Sequence, residues 1–196
     1  MRLCTSDPSL SPMEQHLPQL QQSRSSKASP EAIYDLLANL QTHIEWAGAR
    51  QSREFRLFSL DAPPGPAAVG TSFSSTGSIP MSRKQWSDRS TVTVADRPQT
   101  FEFTTQAAAG EGNAMTAVYR HTYEISREAG GSRVTYRMTQ LSITNPILRL
   151  GPWMSRMTWL MMPMFAGRGL RNLLALAEQS ESRTVVAGSP IHTQEM

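Results

Sequence analysis

An α+β fold, with helices segregated from an antiparallel sheet, is what this sequence predicts, and three stretches carry the expectation. Ile33, Leu36, Leu37 and Leu40 recur at helical spacing directly after Ser29-Pro30. From Ser52 to about Ile143 the text changes to short runs rich in Thr, Val, Phe and Tyr, separated by turn sequences. Leu170, Leu173, Leu174 and Ala177 then make a second one-sided stripe. The loops between the β-like runs are too short for helical crossovers, so the strands should connect as a meander.

The first element is a strand of polar character over 17–27, Leu-Pro-Gln-Leu-Gln-Gln-Ser-Arg in its opening part. Ser29 and Pro30 then start a helix. The serine oxygen can accept an orphan amide hydrogen bond, and proline at the first helical position loses nothing. A second short helix is expected from Gln41 to Trp46, ending near Gly48. Strands follow near 52–59, 71–79, 83–94, 100–107, 115–127 and 133–143, divided by Pro63-Pro-Gly65, Asp96-Arg-Pro98, Gly110-Glu-Gly-Asn113 and Gly130-Gly131. The last helix should run from Pro152 to Ala177, kinked at Pro163 because proline removes a backbone donor there.

Alternation assigns the faces of the later strands. Phe101, Phe103 and Thr105 share a side, as do Tyr119, His121, Tyr123 and Ile125, and Val134, Tyr136 and Met138. These rows should face the interior. Arg120, Thr122, Glu124, Thr135 and Arg137 lie opposite and suit water.

At 196 residues the chain fits one domain. Residues 1–13 and 180–196 show no hydrophobic period and are expected to be disordered tails around a domain at 14–179. The formal charge is +3, with basic residues spread along the chain, so nucleic acid is not the expected partner. The single cysteine, Cys4, permits no intrachain disulfide, and Met-Arg-Leu-Cys is followed by no apolar run of signal-peptide length. The most apolar window, Met157 to Ala166, is shorter than the ~20 residues that span a bilayer. A soluble, cytoplasmic protein is expected.

The segments Ser29 to Leu40 with Trp46, Gly130-Gly-Ser-Arg-Val-Thr-Tyr136, and Gly169-Leu-Arg-Asn-Leu-Leu-Ala-Leu-Ala-Glu178 occur in an order that resembles the START-like (SRPBCC) superfamily, which includes polyketide cyclases and lipid carriers. The resemblance runs from about His16 to Glu178. It implies a helix-grip fold: a strand, two short helices, a six-stranded antiparallel meander and a long C-terminal helix packed across the curved sheet. Two positions depart mildly from the usual pattern, Ser132 in place of threonine and Tyr34 in place of tryptophan.

A bent sheet and one helix commonly leave a cavity between them. Its expected lining comes from Trp46, Phe73, Trp86, Phe103, His121, Tyr123, Tyr136 and Met138, with Trp153, Met157, Leu160, Met161 and Met164 from the helix. Eleven methionines are an excess for this length, and a thioether-rich wall adapts to apolar guests of several shapes. The same residues equally suit ordinary core filling.

Binding or carriage of a small hydrophobic ligand, such as a lipid, isoprenoid, quinone or polyketide-like molecule, is therefore the leading expectation. A cyclase or dehydratase is the second. Its candidate acid–base group is His121, with Tyr123, Tyr136 and Arg89 as further polar groups. A third reading treats Trp153 to Phe165 as a surface for a homodimer, a partner protein or transient membrane contact. His16, His43, His121 and His192 lack metal-ligand spacing, and no phosphate loop, dinucleotide fingerprint or serine-hydrolase elbow is present, so neither metal nor cofactor is expected.

Overall fold

A computed structural model describes residues 19–48, 57–78, 85–109, 115–144 and 167–183. Seven antiparallel strands form one sheet: β1 (Gln19–Ser26), β2 (Leu57–Asp61), β3 (Ser72–Ser78), β4 (Gln85–Asp96), β5 (Thr100–Ala109), β6 (Met115–Glu128) and β7 (Gly131–Thr144). Their spatial order is β1-β7-β6-β5-β4-β3-β2, so six strands pair with their sequence neighbours and the first returns to pair with the last. Helix α1 (Pro30–Ala38) and a terminal helix, α2 (167–183), cover one face. This is the helix-grip arrangement.

The start of α1 follows its sequence. Ser29 Oγ accepts a hydrogen bond from the Ala32 amide at 3.2 Å, and Pro30 holds the first helical position. Ile33 and Leu37 are fully buried and Tyr34 meets Phe101 edge-on at 5.9 Å, so the predicted stripe packs on the sheet. The helix ends where the Ala38 carbonyl accepts from the Ala67 amide at 2.8 Å. The expected second helix is divided into a 3-10 turn, Leu40–Thr42, and a π turn, Ile44–Gly48.

Across the sheet, the rows assigned by alternation are inward. Phe101 and Val134 have no exposed surface, and Phe103, Thr105, Tyr123, Ile125, Tyr136 and Met138 are buried beside them. One assignment to water is corrected: Arg137 is buried, at 8% exposure, and its guanidinium donates to Glu124 at 3.2 Å. The long aliphatic stem lets an arginine lie down on its sheet while the ion pair satisfies its head.

Of the strand expected at 52–59, residues 52–56 lie outside the described residues; β2 continues to Asp61, past the expected end, and α2 continues to 183, past the expected domain limit at 179. Leu170, Leu173, Leu174 and Ala177 are all buried, as their spacing predicts. The expected kink at Pro163 lies outside the described residues.

The β6–β7 hairpin turns through Gly130, at φ +82°, and Gly131, at φ +154°. A Cβ at Gly131 would stand 2.0 Å from the Ser26 carbonyl oxygen and 2.9 Å from the Lys27 Cα, so the chain crossing from β1 to α1 passes directly over it. Substituting Gly131→Ala should lower stability by about 3 kcal/mol, against about 1 kcal/mol for Gly65→Ala, where the backbone is left-handed but the space is open. Thermal unfolding of the two variants checks this: similar midpoints would show that the crowding at Gly131 is relieved without cost.

Candidate functional site

Strand register sorts the inner face into rows. Nearest α1, Phe101 pairs with Tyr123 and Tyr123 with Tyr136. The next row is Val92, Phe103, His121, Met138 and Leu20. Beyond it come Phe73, Ser90, Thr105 and Tyr119, and then Ser75, Asp88, Ala107 and Ala117. The face therefore changes from rings near α1 to short, partly polar side chains further along the strands.

The ring-bearing half is tightly connected. Phe103 stacks on His121 at 4.7 Å between centroids and meets Phe73 edge-on at 5.4 Å. Tyr123 lies 4.8 Å from Tyr136, and the Tyr136 hydroxyl is 2.8 Å from His121 Nδ1. Trp46, delivered by the π turn, approaches Tyr123 edge-on at 6.2 Å. These are the predicted residues Trp46, Phe73, Phe103, His121, Tyr123, Tyr136 and Met138. Trp86 shares their face further along β4, opposite Gly77 and Ala109. Trp153, Met157, Leu160, Met161 and Met164 lie outside the described residues.

His43 belongs to this cluster although its sequence context gave no hint of it. Its ring lies 4.6 Å from Trp46, 5.7 Å from Phe73 and 6.1 Å from Phe103, and its Nε2–H donates to the Leu37 carbonyl at 2.9 Å. A carbonyl only accepts, so that bond fixes the tautomer. Burial pushes the His43 pKa down to about 4, against the pull of the Leu37 bond. His121 is likewise pushed down to about 4, by burial first and by its proximity to His43 second. Burial raises the Tyr123 and Tyr136 phenols, so the ring-bearing half holds its imidazoles and phenols neutral at pH 7.

The polar half was only partly readable. The orientation of the fourth strand is settled by its register: Asp88 and Ser90 face inward, whereas Arg89 is exposed on the opposite side and is withdrawn as a pocket group. Asp88 Oδ1 accepts from the Ser75 amide at 3.1 Å and the Ser75 hydroxyl at 2.7 Å, and Ser90 and Thr105 join hydroxyls at 2.8 Å. Burial raises the Asp88 carboxyl to about 6, against the lowering effect of the two Ser75 bonds. Thr105 lies inward as alternation assigns it, whereas Ser75, Asp88 and Ser90 escaped assignment because short polar residues in a Ser/Thr-rich strand look like a solvated face.

A separate open groove of about 530 Å³ runs between β1 and α2, lined by Ser23, Arg24, Ser25, Arg171, Leu174, Ala175 and Glu178. It shares no residue with the aromatic cluster. Among the described residues no His, Cys, Asp or Glu group is arranged to hold a metal, and no helix is long and apolar enough to cross a membrane.

A family model described as polyketide cyclase/dehydrase and lipid transport matches residues 18–178. No curated protein matches the chain significantly. Solved structures similar to it include a protein from Geobacillus kaustophilus, at TM-score 0.64 and 10% identity, covering 83% of this chain and 97% of that one. A protein from Rhizobium leguminosarum has TM-score 0.60 and 12% identity, with 83% and 95% covered, and one from Chromobacterium violaceum has 0.57 and 12%, with 82% and 96% covered. At such identities these likenesses establish the fold.

The titrations have opposite signs. His43 and His121 have depressed folded pKa values, so their contribution is present above pH 6.5 and is lost as pH falls toward about 4. Asp88 has a raised value, so its contribution is present below pH 3.8 and is lost as pH rises through about 6. Asp88→Asn, which keeps an oxygen for Ser75, should stabilise the protein by about 2–3 kcal/mol at pH 7.5 and by almost nothing at pH 4. Denaturant unfolding at the two pH values checks it; an equal effect at both would mean the carboxyl is not desolvated.

Proposed function

Because the chain belongs to the polyketide cyclase/dehydrase and lipid transport family, we propose that it binds a small, mostly apolar molecule between the inner face of the sheet and the terminal helical segment, and releases it unchanged. The observation carrying this reading is the change along the strands from rings to short side chains. Ser75, Ser90, Thr105, Ala107 and Ala117 stand where the neighbouring rows carry Phe103, His121 and Tyr123, and that difference in reach supports placing the guest along these rows. Trp153, Met157, Leu160, Met161 and Met164 would supply the opposite wall, adaptable because thioethers are flexible and polarisable. A lipid, isoprenoid, quinone or polyketide-like molecule fits this chemistry. The apolar stretch Trp153 to Phe165 further suits a homodimer or brief contact with a membrane surface during transfer, in a cytoplasmic setting.

Native mass spectrometry of freshly purified protein, together with titration of the neutral probe N-phenyl-1-naphthylamine, tests the reading. A retained small molecule or saturable probe binding is expected, and Ala107→Trp, which fills the short-chain row, should weaken the probe by at least about tenfold, a loss of ~1.4 kcal/mol. No guest and no probe binding would remove the proposal.

Asp88 favours a second reading, a cyclase- or dehydratase-type enzyme. An acid–base group works best with a pKa near the working pH. Asp88, at about 6, meets that condition better than His121, at about 4. With a polyketide-type substrate, Asp88→Asn should abolish turnover while His121→Ala reduces it less. Turnover unaffected by either change, or absent in the parent protein, would leave binding alone.

A further inference from the structure

Among the described residues, the indole Nε1–H of Trp46 is a buried side-chain donor with no hydrogen-bond partner, on a residue only 3% exposed. Leaving such a donor unmade costs about 1–3 kcal/mol, so it calls for a reason. Its surroundings narrow the possibilities. The Trp46 carbonyl accepts from Asn172 Nδ2 of α2 at 3.2 Å, and the indole packs on His43 at 4.6 Å, itself bonded to Leu37. Backbone and ring are thus both held, and the indole is not free to turn outward to water.

The rings beside this donor are those of the candidate site: Tyr123 directly, then Phe103, His121 and Tyr136 through it. None carries a charge at neutral pH, and on the same face of the sheet Asp88 opposes a second negative charge. We infer that Trp46 is the polar anchor of the bound guest, its indole N–H donating to an uncharged oxygen, a carbonyl or ether, on an otherwise apolar molecule. This rests on the binding reading above and gives that guest its one required functional group. An apolar guest with no acceptor would leave the donor orphaned; a carboxylate would bring a charge to a place with no cation among the neighbouring rings to receive it.

Three probes of one shape separate the cases: 2-acetylnaphthalene, 2-ethylnaphthalene and 2-naphthoate, measured by equilibrium dialysis against the full chain and against Trp46→Phe. The ketone should bind about five- to tenfold more tightly than the ethyl compound, the worth of one neutral hydrogen bond, and Trp46→Phe should erase that ratio whatever it does to the affinity of the ethyl compound itself. The carboxylate should bind more weakly than the ketone.

Equal binding of ketone and ethyl compound would overturn the inference and leave the binding reading intact, the N–H then being served by water or by the face of Tyr123. Binding of none of the three would overturn both. Naphthoate binding as tightly as the ketone would overturn the uncharged acceptor. Should Trp46→Phe fail to fold, the parent protein labelled with ¹⁵N at its four tryptophan indoles gives the answer. With the other three resonances assigned by Trp86→Phe, Trp153→Phe and Trp159→Phe, the Trp46 indole proton should move downfield with the ketone alone; no movement would overturn the inference.

Discussion

The site depends on how the end of α2 is tied to the corner between β1 and α1. Glu178 accepts from the Ser26 hydroxyl at 2.7 Å and the Lys27 amide at 2.9 Å, and Glu181 accepts from the Ser29 amide at 3.1 Å and from the Ser29 hydroxyl. Hydrogen bonds to an ionised acceptor are worth about 1.5–3 kcal/mol each, more than a neutral pair gives. The bonds from Lys27 and Ser26 also hold the Glu178 carboxyl below its ordinary range, so the ionised acceptor is the form the fold selects. Ser29 serves two helices at once, capping α1 and receiving α2. Beneath this corner, Ser132 donates to the Ala28 carbonyl at 2.7 Å and Gly131 leaves space for the crossing chain.

With that end fixed, the position of α2 along its length follows. Leu170, Leu173, Leu174 and Ala177 are brought into one core with Ile33, Leu37, Val134 and Leu20, and Asn172 reaches the Trp46 carbonyl. The π turn carrying Trp46 and the His43 ring are thereby held against the ring-bearing half of the sheet. The rings of that half are buried against one another. Further along the strands Ser75, Asp88, Ser90 and Thr105 replace rings, a division created by strand register and not by any single residue.

Much of this was legible in the sequence. Ser29-Pro30 and the Ile33–Leu40 stripe announced α1, and the strict alternation of Phe101 to Thr105, Tyr119 to Ile125 and Val134 to Met138 announced the inner face, because a period of two survives wherever one face is buried. Strand β4 resisted reading for a physical reason. Its pairing with β5 shifts between Val92 and Val94, so parity on one side of the bulge does not carry to the other, and the polar sequence Ser87-Asp-Arg-Ser90 offers no hydrophobic reference. His43 was hidden because its partners, the Leu37 carbonyl and the rings of Trp46, Phe73 and Phe103, are assembled by tertiary packing. Arg137 was misplaced because alternation reports which side a residue takes, not whether something covers it.

The electrostatics of the inner face bear on the choice between holding a molecule and changing one. Covalent chemistry near neutral pH asks for a group that can exchange a proton there, and the ring-bearing half supplies none: two imidazoles stay unprotonated down to about pH 4, and its buried phenols are pushed upward. Those same conditions suit a neutral guest, since nothing among those rings demands a counter-charge and the cost of desolvating an ion is avoided. Asp88 is the exception, and its carboxyl hangs from a strand two rows away from His121. Among the described residues of the inner face, Asp88 is therefore the group whose carboxyl could exchange a proton near neutral pH.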